Sequence, residues 1–266
     1  MQISSFSLLH MPATPVVLPV LELGQGPVSL VFLHYWAGSG LEWQPVMELL
    51  APAYHCLAPD LRGFGAAPAP ETGYAVADYA ADVAALIAER HLTNYVLVGH
   101  SMGGKFAMYL ATQQPSGLRG LVLVTPSPPT PEPMTDEGRL ANLRAYGIDV
   151  AAASTFDHIT ARPLSPATRQ QVIADNLRTS RRAWDEWMLH GSRENISALM
   201  SLVQVPAIIL TGDSDPVLSP SVQGLETLPY LAPNTHLEII PGAGHLLPLE
   251  APAEVAELIR SFITKV

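Results

Sequence analysis

The residues best suited to chemistry sit in the string Gly99-His100-Ser101-Met102-Gly103-Gly104. An apolar run, Tyr95 to Val98, stops at Gly99, and helix-forming residues resume with no polar loop between. Two chemistries write such a string. The phosphate-cradling pattern G-x-x-x-x-G-K-[ST] fits Gly99, Gly104 and Lys105 but fails at Phe106, which has no hydroxyl to hold Mg²⁺. The pattern G-x-S-x-G fits Gly99, Ser101 and Gly103. It places a serine on a strained strand-to-helix turn, with its hydroxyl presented at the sheet edge. The positions two before and two after the serine must then be nearly free of side chain, and both are Gly. A glycine-rich strand-to-helix turn with no chemistry would use the same letters. What decides between these readings is a base and an acid where the serine needs them.

A serine hydroxyl is a poor nucleophile until a base takes its proton, and a carboxylate must orient the base. Both belong at the C-terminal ends of later strands, where ligand sites of parallel sheets open. The apolar run Ala207–Leu210 is followed by Thr-Gly-Asp-Ser-Asp-Pro-Val, and Leu237–Ile240 by Pro-Gly-Ala-Gly-His-Leu-Leu-Pro. The chain order is therefore Ser101, then Asp213 or Asp215, then His245, as expected for a serine on such a turn. Acyl transfer also needs two backbone N–H groups aimed at the developing oxyanion. Met102, after the serine and at a helix start, supplies one; the second comes from the loop after an earlier strand, here His34 to Gly40.

The elements that must position these residues read as follows. Val16–Leu23, Val28–Leu33, Ala53–Ala58, Tyr95–Val98, Leu118–Val124, Ala207–Leu210 and Leu237–Ile240 are strand-like, and nearly all apolar. Strands buried on both faces and alternating with helices give a parallel sheet with helices on either side. Glu42–Leu50, Tyr74–Arg90, Met102–Gln113 and about 253–264 read as helices; the second carries a stripe of Val76, Tyr79, Ala80, Val83, Leu86 and Ile87. A Pro-rich stretch, Thr125 to Thr135, breaks the alternation. From there to about Met200 only helical segments follow, roughly 135–146, 149–158, 166–178 and 181–190, an all-helical insertion of about 70 residues.

Composition narrows the function. A chain of 266 residues, 48% hydrophobic and 14% charged, is a compact globular protein with a large core. A net charge of −10 with one adjacent basic pair, Arg181-Arg182, argues against a nucleic-acid partner. The single cysteine, Cys56, allows no internal disulfide and no Cys-based zinc site, and it reads as a buried strand residue. No metal-ligand spacing occurs. The first 20 residues lack the charges and the unbroken apolar stretch of a signal peptide, and no stretch reaches transmembrane length, so the expected location is the cytoplasm.

Taken together, these motifs resemble the α/β-hydrolase superfamily, in its Ser-nucleophile branch with a helical cap, the group of esterases, lactonases and cofactor-free haloperoxidases. The resemblance covers nearly the whole chain. It implies an α/β-hydrolase fold, a mostly parallel central sheet with helices on both faces and an all-helical cap insertion. The core would be 1–126 and 201–266, with 127–200 as the cap. Gly-Asp-Ser-Asp-Pro-Val matches the family's G-x-x-D turn and points to Asp215 as the acid, leaving Asp213 to cap the turn; Gly-Ala-Gly-His presents His245. Some members carry the acid one strand earlier, but here that strand ends in Thr125-Pro126-Ser127, without a carboxylate. Asp60 to Gly65 matches a structural turn. The resemblance makes Trp36 the second oxyanion donor.

Where the family usually has His-Gly, this chain has His34-Tyr35-Trp36. Tyr35 is expected to pack under the loop while Gly38 and Gly40 absorb its turn. Trp184, Trp187 and Met188, one helical turn apart, are pocket candidates together with Tyr35 and Leu246. His34 and His100 read as structural, and His158 and His190 as able to face the cleft. The implied activity is hydrolysis of small, largely apolar carboxylic esters through an acyl-enzyme, with no cofactor, no metal and no membrane or nucleic-acid partner. Lactone, thioester, C–C bond and perhydrolase chemistry use the same triad; Leu246, where C–C hydrolases often carry Trp, disfavours the C–C reaction. A non-catalytic small-ligand receptor on the same fold is the reading from another class.

Overall fold

The computed structural model describes residues 13–266. The N-terminal reading falls largely outside them. Among the described residues, seven strands form one sheet in the order β1-β3-β2-β4-β5-β6-β7. They are β1 (Val20–Leu23), β2 (Ser29–Leu33), β3 (His55–Pro59), β4 (Tyr95–His100), β5 (Leu118–Val124), β6 (Ala207–Gly212) and β7 (His236–Ile240). Only β1, paired to β3, is antiparallel. The other neighbours are parallel.

The central strands are apolar because both faces are covered: every residue of β2, β4 and β6 is buried. The two edges depart from the expected pattern. In β7 the side chains of His236, Glu238 and Ile239 are exposed, since an edge strand has one neighbour and an open side. β1 is shorter than the run Val16–Leu23, because Val17 is exposed and Pro19 has no N–H for the ladder; its carbonyl instead accepts from the Asp60 N–H.

One face of the sheet is covered by α2 (Val76–Glu89) and α3 (Met102–Thr112), the other by α1 (Gln44–Leu50) and α10 (Pro252–Ile263). The whole expected stripe of α2 is buried. The stretch 42–50 is not one helix. A 3₁₀ turn, Gly40–Trp43, is capped by the Ser39 hydroxyl, and α1 begins after it with Pro45 in its first turn. Cys56 is fully buried in β3, and burial pushes its thiol up to about 12, so it is not a nucleophile near neutrality.

Four helices lie between β5 and β6: α4 (Asp136–Ala145), α5 (Asp149–Ile159), α6 (Pro166–Arg178) and α7 (Arg181–Leu189). Ser165 and Ser180 cap α6 and α7 through their hydroxyls, and Thr135 caps α4, so each start is written in a single side chain. Two short helices escaped the sequence reading, α8 (Pro220–Val222) and α9 (Leu247–Glu250), because one turn leaves no periodicity to detect. No helix among the described residues is long and apolar enough to cross a membrane.

Candidate active site

Ser101 stands between the last residue of β4 and the first of α3, at φ 49° and ψ −116°. That positive φ is costly for a side-chain-bearing residue and is held by the frame around it. The Ser101 N–H donates to the Val124 carbonyl, and the Ser101 carbonyl accepts from the Gly104 and Ser127 N–H groups. The flanking glycines are there for close approach. A Cβ on Gly99 would lie 2.6 Å from the Gly103 carbonyl oxygen, and one on Gly103 would lie 2.4 Å from that of Leu33. Met102 opens α3, so its N–H points out of the helix's positive end.

His245 follows β7 and Asp215 follows β6. Asp215 Oδ2 lies 2.9 Å from His245 Nδ1, and Oδ1 accepts from the N–H groups of Val217 at 2.7 Å and Leu218 at 3.0 Å. Both side chains are buried. Burial alone would depress the His245 pKa, but the charge and hydrogen bond of Asp215 override it and hold the imidazole above its ordinary range. Burial likewise works to raise Asp215, and the His245 charge and hydrogen bond with the two N–H donors pull it below the usual carboxylate range. Thr125 Oγ1 lies 3.4 Å from the same Nδ1, so the strand end that lacks a carboxylate still reaches the ring. Asp213 takes another part from the expected one. It is exposed and accepts from the Gly242 N–H at 2.7 Å, tying the turn after β6 to the turn after β7, besides bonding the Ser214 hydroxyl beside it.

The loop from His34 to Gly40 differs from expectation in one respect. Its left-handed residue is Ala37, at φ 65°, and not a glycine. Gly38 and Gly40 are small for contact: a Cβ on Gly38 would lie 2.5 Å from the Tyr35 ring, and one on Gly40 2.4 Å from the Ala58 carbonyl oxygen. Tyr35 is buried under the loop, its ring centroid 5.3 Å from that of His100. His34 is buried; its Nε2 accepts the Leu61 N–H at 3.0 Å, so Nδ1 carries the proton donated to the Tyr35 carbonyl at 2.7 Å. Asp60 accepts the Gly40 N–H at 2.8 Å and the Ala66 N–H at 2.7 Å, which is how the Asp60–Gly65 turn steadies this loop.

The pocket candidates divide. Trp184 meets Trp36, ring centroids 4.1 Å apart. Trp187 is edge-on to Phe106 at 5.5 Å and, with Met188, belongs to the core under α3. Leu246 and Tyr35 join Phe156, Ile159 and Val172 in a separate buried cluster. A crevice of about 280 Å³ beside Tyr35, Glu42 and α6 does not include Ser101 or His245. His158 and His190 are exposed. Lys105, the residue of the rejected phosphate pattern, is buried, and burial lowers it to about 8; its Nζ donates to the carbonyls of Thr130 and Glu194 at the two ends of the helical insertion.

Two features around the site were not read from sequence: the partner of His100, and Glu250. His100 Nδ1 lies 3.0 Å from Glu42 Oε1, and Nε2 lies 2.9 Å from the His245 carbonyl oxygen. Glu250 accepts four backbone N–H groups: Ala161 and Arg162 at 2.8 Å, Gly244 at 2.9 Å and Leu246 at 3.0 Å. The only signal for Glu250 was an acid in the first turn after the His245 motif. Among the described residues, no group of three His, Cys, Asp or Glu side chains is placed to hold a metal ion.

Residues 30–258 match the model of a family described as "Alpha/beta hydrolase family". The chain is 26% identical to a 2-(acetamidomethylene)succinate hydrolase of Mesorhizobium japonicum, over 93% of this chain and 92% of that protein. Two solved structures share the fold with TM-scores of 0.86 at 21% identity. An esterase from Exiguobacterium antarcticum aligns over 93% of this chain and 95% of its own. A bromoperoxidase from Bacillus anthracis aligns over 94% and 96%.

Proposed function

The chain belongs to the alpha/beta hydrolase family, and on that premise we propose that it is a serine hydrolase that cleaves small, largely apolar carboxylic esters through an acyl-enzyme. The observation that carries this reading is the buried 2.9 Å pair of His245 and Asp215 on the strand ends beside a serine held at φ 49°. In this reading His245 Nε2 takes the Ser101 proton as Oγ attacks the ester carbonyl. Asp215 keeps the other ring proton on Nδ1 and stabilises the imidazolium. The N–H groups of Met102 and Trp36 receive the oxyanion. The imidazolium then protonates the leaving alcohol, and a water, deprotonated by His245, releases the acid and restores Ser101. The four helices from α4 to α7 act as a cap, with Trp184 closing on Trp36 to make an apolar wall.

Turnover of p-nitrophenyl butyrate by purified protein tests the mechanism. Ser101→Ala and His245→Ala each lower kcat by about 10³-fold or more with the fold intact. Dialysis against a chelator leaves the wild-type rate unchanged, since no step uses a metal. Activity within tenfold of wild type in both variants would overturn the reading.

A further inference from the structure

Glu42, His100 and the main chain of His245 form a buried chain of polar groups. The side chain of His100 is 0% exposed and that of Glu42 3%. The His100 ring is boxed by the rings of Tyr35 at 5.3 Å, His245 at 5.1 Å and Trp43 at 6.1 Å. The pair joins three separate loops. Glu42 lies in the 3₁₀ turn that closes the Trp36 loop, His100 directly precedes Ser101, and the carbonyl belongs to His245 itself.

The proton count is fixed by the partners. A carbonyl oxygen only accepts, so His100 Nε2 carries a hydrogen. The contact between Nδ1 and Glu42 Oε1 needs one more proton, held by either atom. The pair is therefore a neutral acid with a neutral imidazole or a carboxylate with an imidazolium. The surroundings favour the neutral form. Glu42 Oε2 is buried without a hydrogen-bond partner, a poor place for a charged oxygen. Burial, the largest influence on each, pushes Glu42 well above the usual carboxylate range, against the Tyr35 N–H beside its carboxyl, and His100 well below its ordinary value, against its bond to the His245 carbonyl. Asp175, facing Glu42, adds to its rise. Around His100, the His245 and His34 rings push down and Asp215 pulls up.

We infer that Glu42 and His100 are positioning residues for His245: the Glu42 carboxylic acid donates to His100 Nδ1, and His100 Nε2–H holds the His245 carbonyl in place beside Ser101. His245 is otherwise fixed at its N–H by the Ile159 carbonyl, at Nδ1 by Asp215 with the Thr125 hydroxyl beside it, and at its carbonyl by the Leu247 N–H at 2.9 Å. The His100 bond is the anchor that reaches from the residue next to the nucleophile. A shift of about 1 Å in a catalytic group costs on the order of 10²-fold in rate. The inference rests on the serine-hydrolase reading only in taking His245 as the base.

The test compares Glu42→Gln, Glu42→Leu and His100→Leu, with p-nitrophenyl butyrate kinetics and thermal melting on each. A glutamine amide donates to Nδ1 as the acid does, so Glu42→Gln restores kcat to within about threefold of wild type. The two leucine variants lose kcat by roughly 10- to 100-fold with KM within threefold, and combining them costs no more than either alone. ¹⁵N spectra of histidine-labelled wild type at pH 7 show His100 with Nε2 protonated and Nδ1 bare. Glu42→Gln as damaging as Glu42→Leu, both His100 nitrogens protonated, or folded leucine variants with wild-type kcat would each overturn the inference. If the leucine variants fail to fold, the glutamine variant and the spectrum decide. Full activity in Ser101→Ala would instead sink the serine mechanism and leave the His100 spectrum unchanged.

Discussion

Asp213 and Asp215 stand two residues apart in one turn, yet one is exposed and braces a neighbouring turn while the other is buried against His245. Asp215→Asn removes the charge that stabilises the imidazolium and offers Nδ1 a donor where it needs an acceptor. It lowers kcat by about 10³-fold or more, while Asp213→Asn stays within a few-fold; matched kinetics on the two variants decide which carboxylate serves. The pH profile carries the same argument. In the proposed mechanism His245 must be neutral to act as base, and its raised pKa places the acid limb of kcat/KM above about pH 6.5. In Asp215→Asn that limb moves to lower pH, because burial then acts without the opposing charge. Stability follows the signs of the shifts. His245, raised, contributes below about pH 6.5 and loses that contribution as pH rises through its folded value; Asp215, lowered, contributes above about pH 3.9 and loses it as pH falls through its own.

Between elements, the contact that most directly shapes the proposed substrate pocket is Trp36 of the loop after β2 against Trp184 of α7. The Trp36 Nε1–H is buried without a partner, whereas Trp184 Nε1–H donates to the Asn142 carbonyl at 3.0 Å. Trp36 is therefore the less fixed of the two. Trp36→Ala keeps the backbone donor and removes the ring, so preference shifts toward longer acyl chains more than turnover is lost. The shift is graded, at about 1–3 kcal/mol per methylene. kcat/KM across p-nitrophenyl acetate to octanoate measures it, and an unchanged profile would show that the ring bounds no acyl space. How well the elements were legible follows from the same contacts. The central strands announced themselves because strands covered on both faces must be apolar throughout, and α2 because its buried stripe recurs at helical spacing. The edges were less legible: Pro19 and the open side of β7 answer to hydrogen-bond geometry that apolarity does not report. In the site, the order of Ser101, Asp213 or Asp215, and His245 could be read because each follows a strand, while the choice of Asp215 came from the family resemblance. The Ala37 strain could not, since any residue can be forced left-handed by its frame. Glu42 with His100, 58 residues apart, left no local pattern at all.

Across the whole molecule, the helices between β5 and β6 are fastened to the loops of the proposed site. The Ser39 hydroxyl donates to Asp175 of α6 at 2.8 Å, the Ser180 N–H donates to the Gly63 carbonyl, and the His245 N–H donates to the Ile159 carbonyl at the end of α5. Glu250 concentrates this coupling. Its carboxylate accepts from Gly244 and Leu246 on either side of His245, and from Ala161 and Arg162 just beyond α5. Removing it leaves four donors unpaired at once, those of Gly244 and Leu246 buried and those of Ala161 and Arg162 partly so, and each buried donor left unsatisfied costs about 1–3 kcal/mol before relaxation. Glu250→Ala is therefore expected to lower stability by several kcal/mol and kcat by at least tenfold. Glu250→Gln, which keeps one accepting oxygen, falls between it and wild type. The exposed ion pair Arg169–Asp157, also within the insertion, provides the contrast: Arg169→Ala changes stability by less than about 1 kcal/mol and leaves kcat alone. Urea melts and ester kinetics on the three variants measure both quantities. If Glu250→Ala lost stability but kept wild-type kcat, the carboxylate would only fasten the helices and would not hold the His245 turn in register.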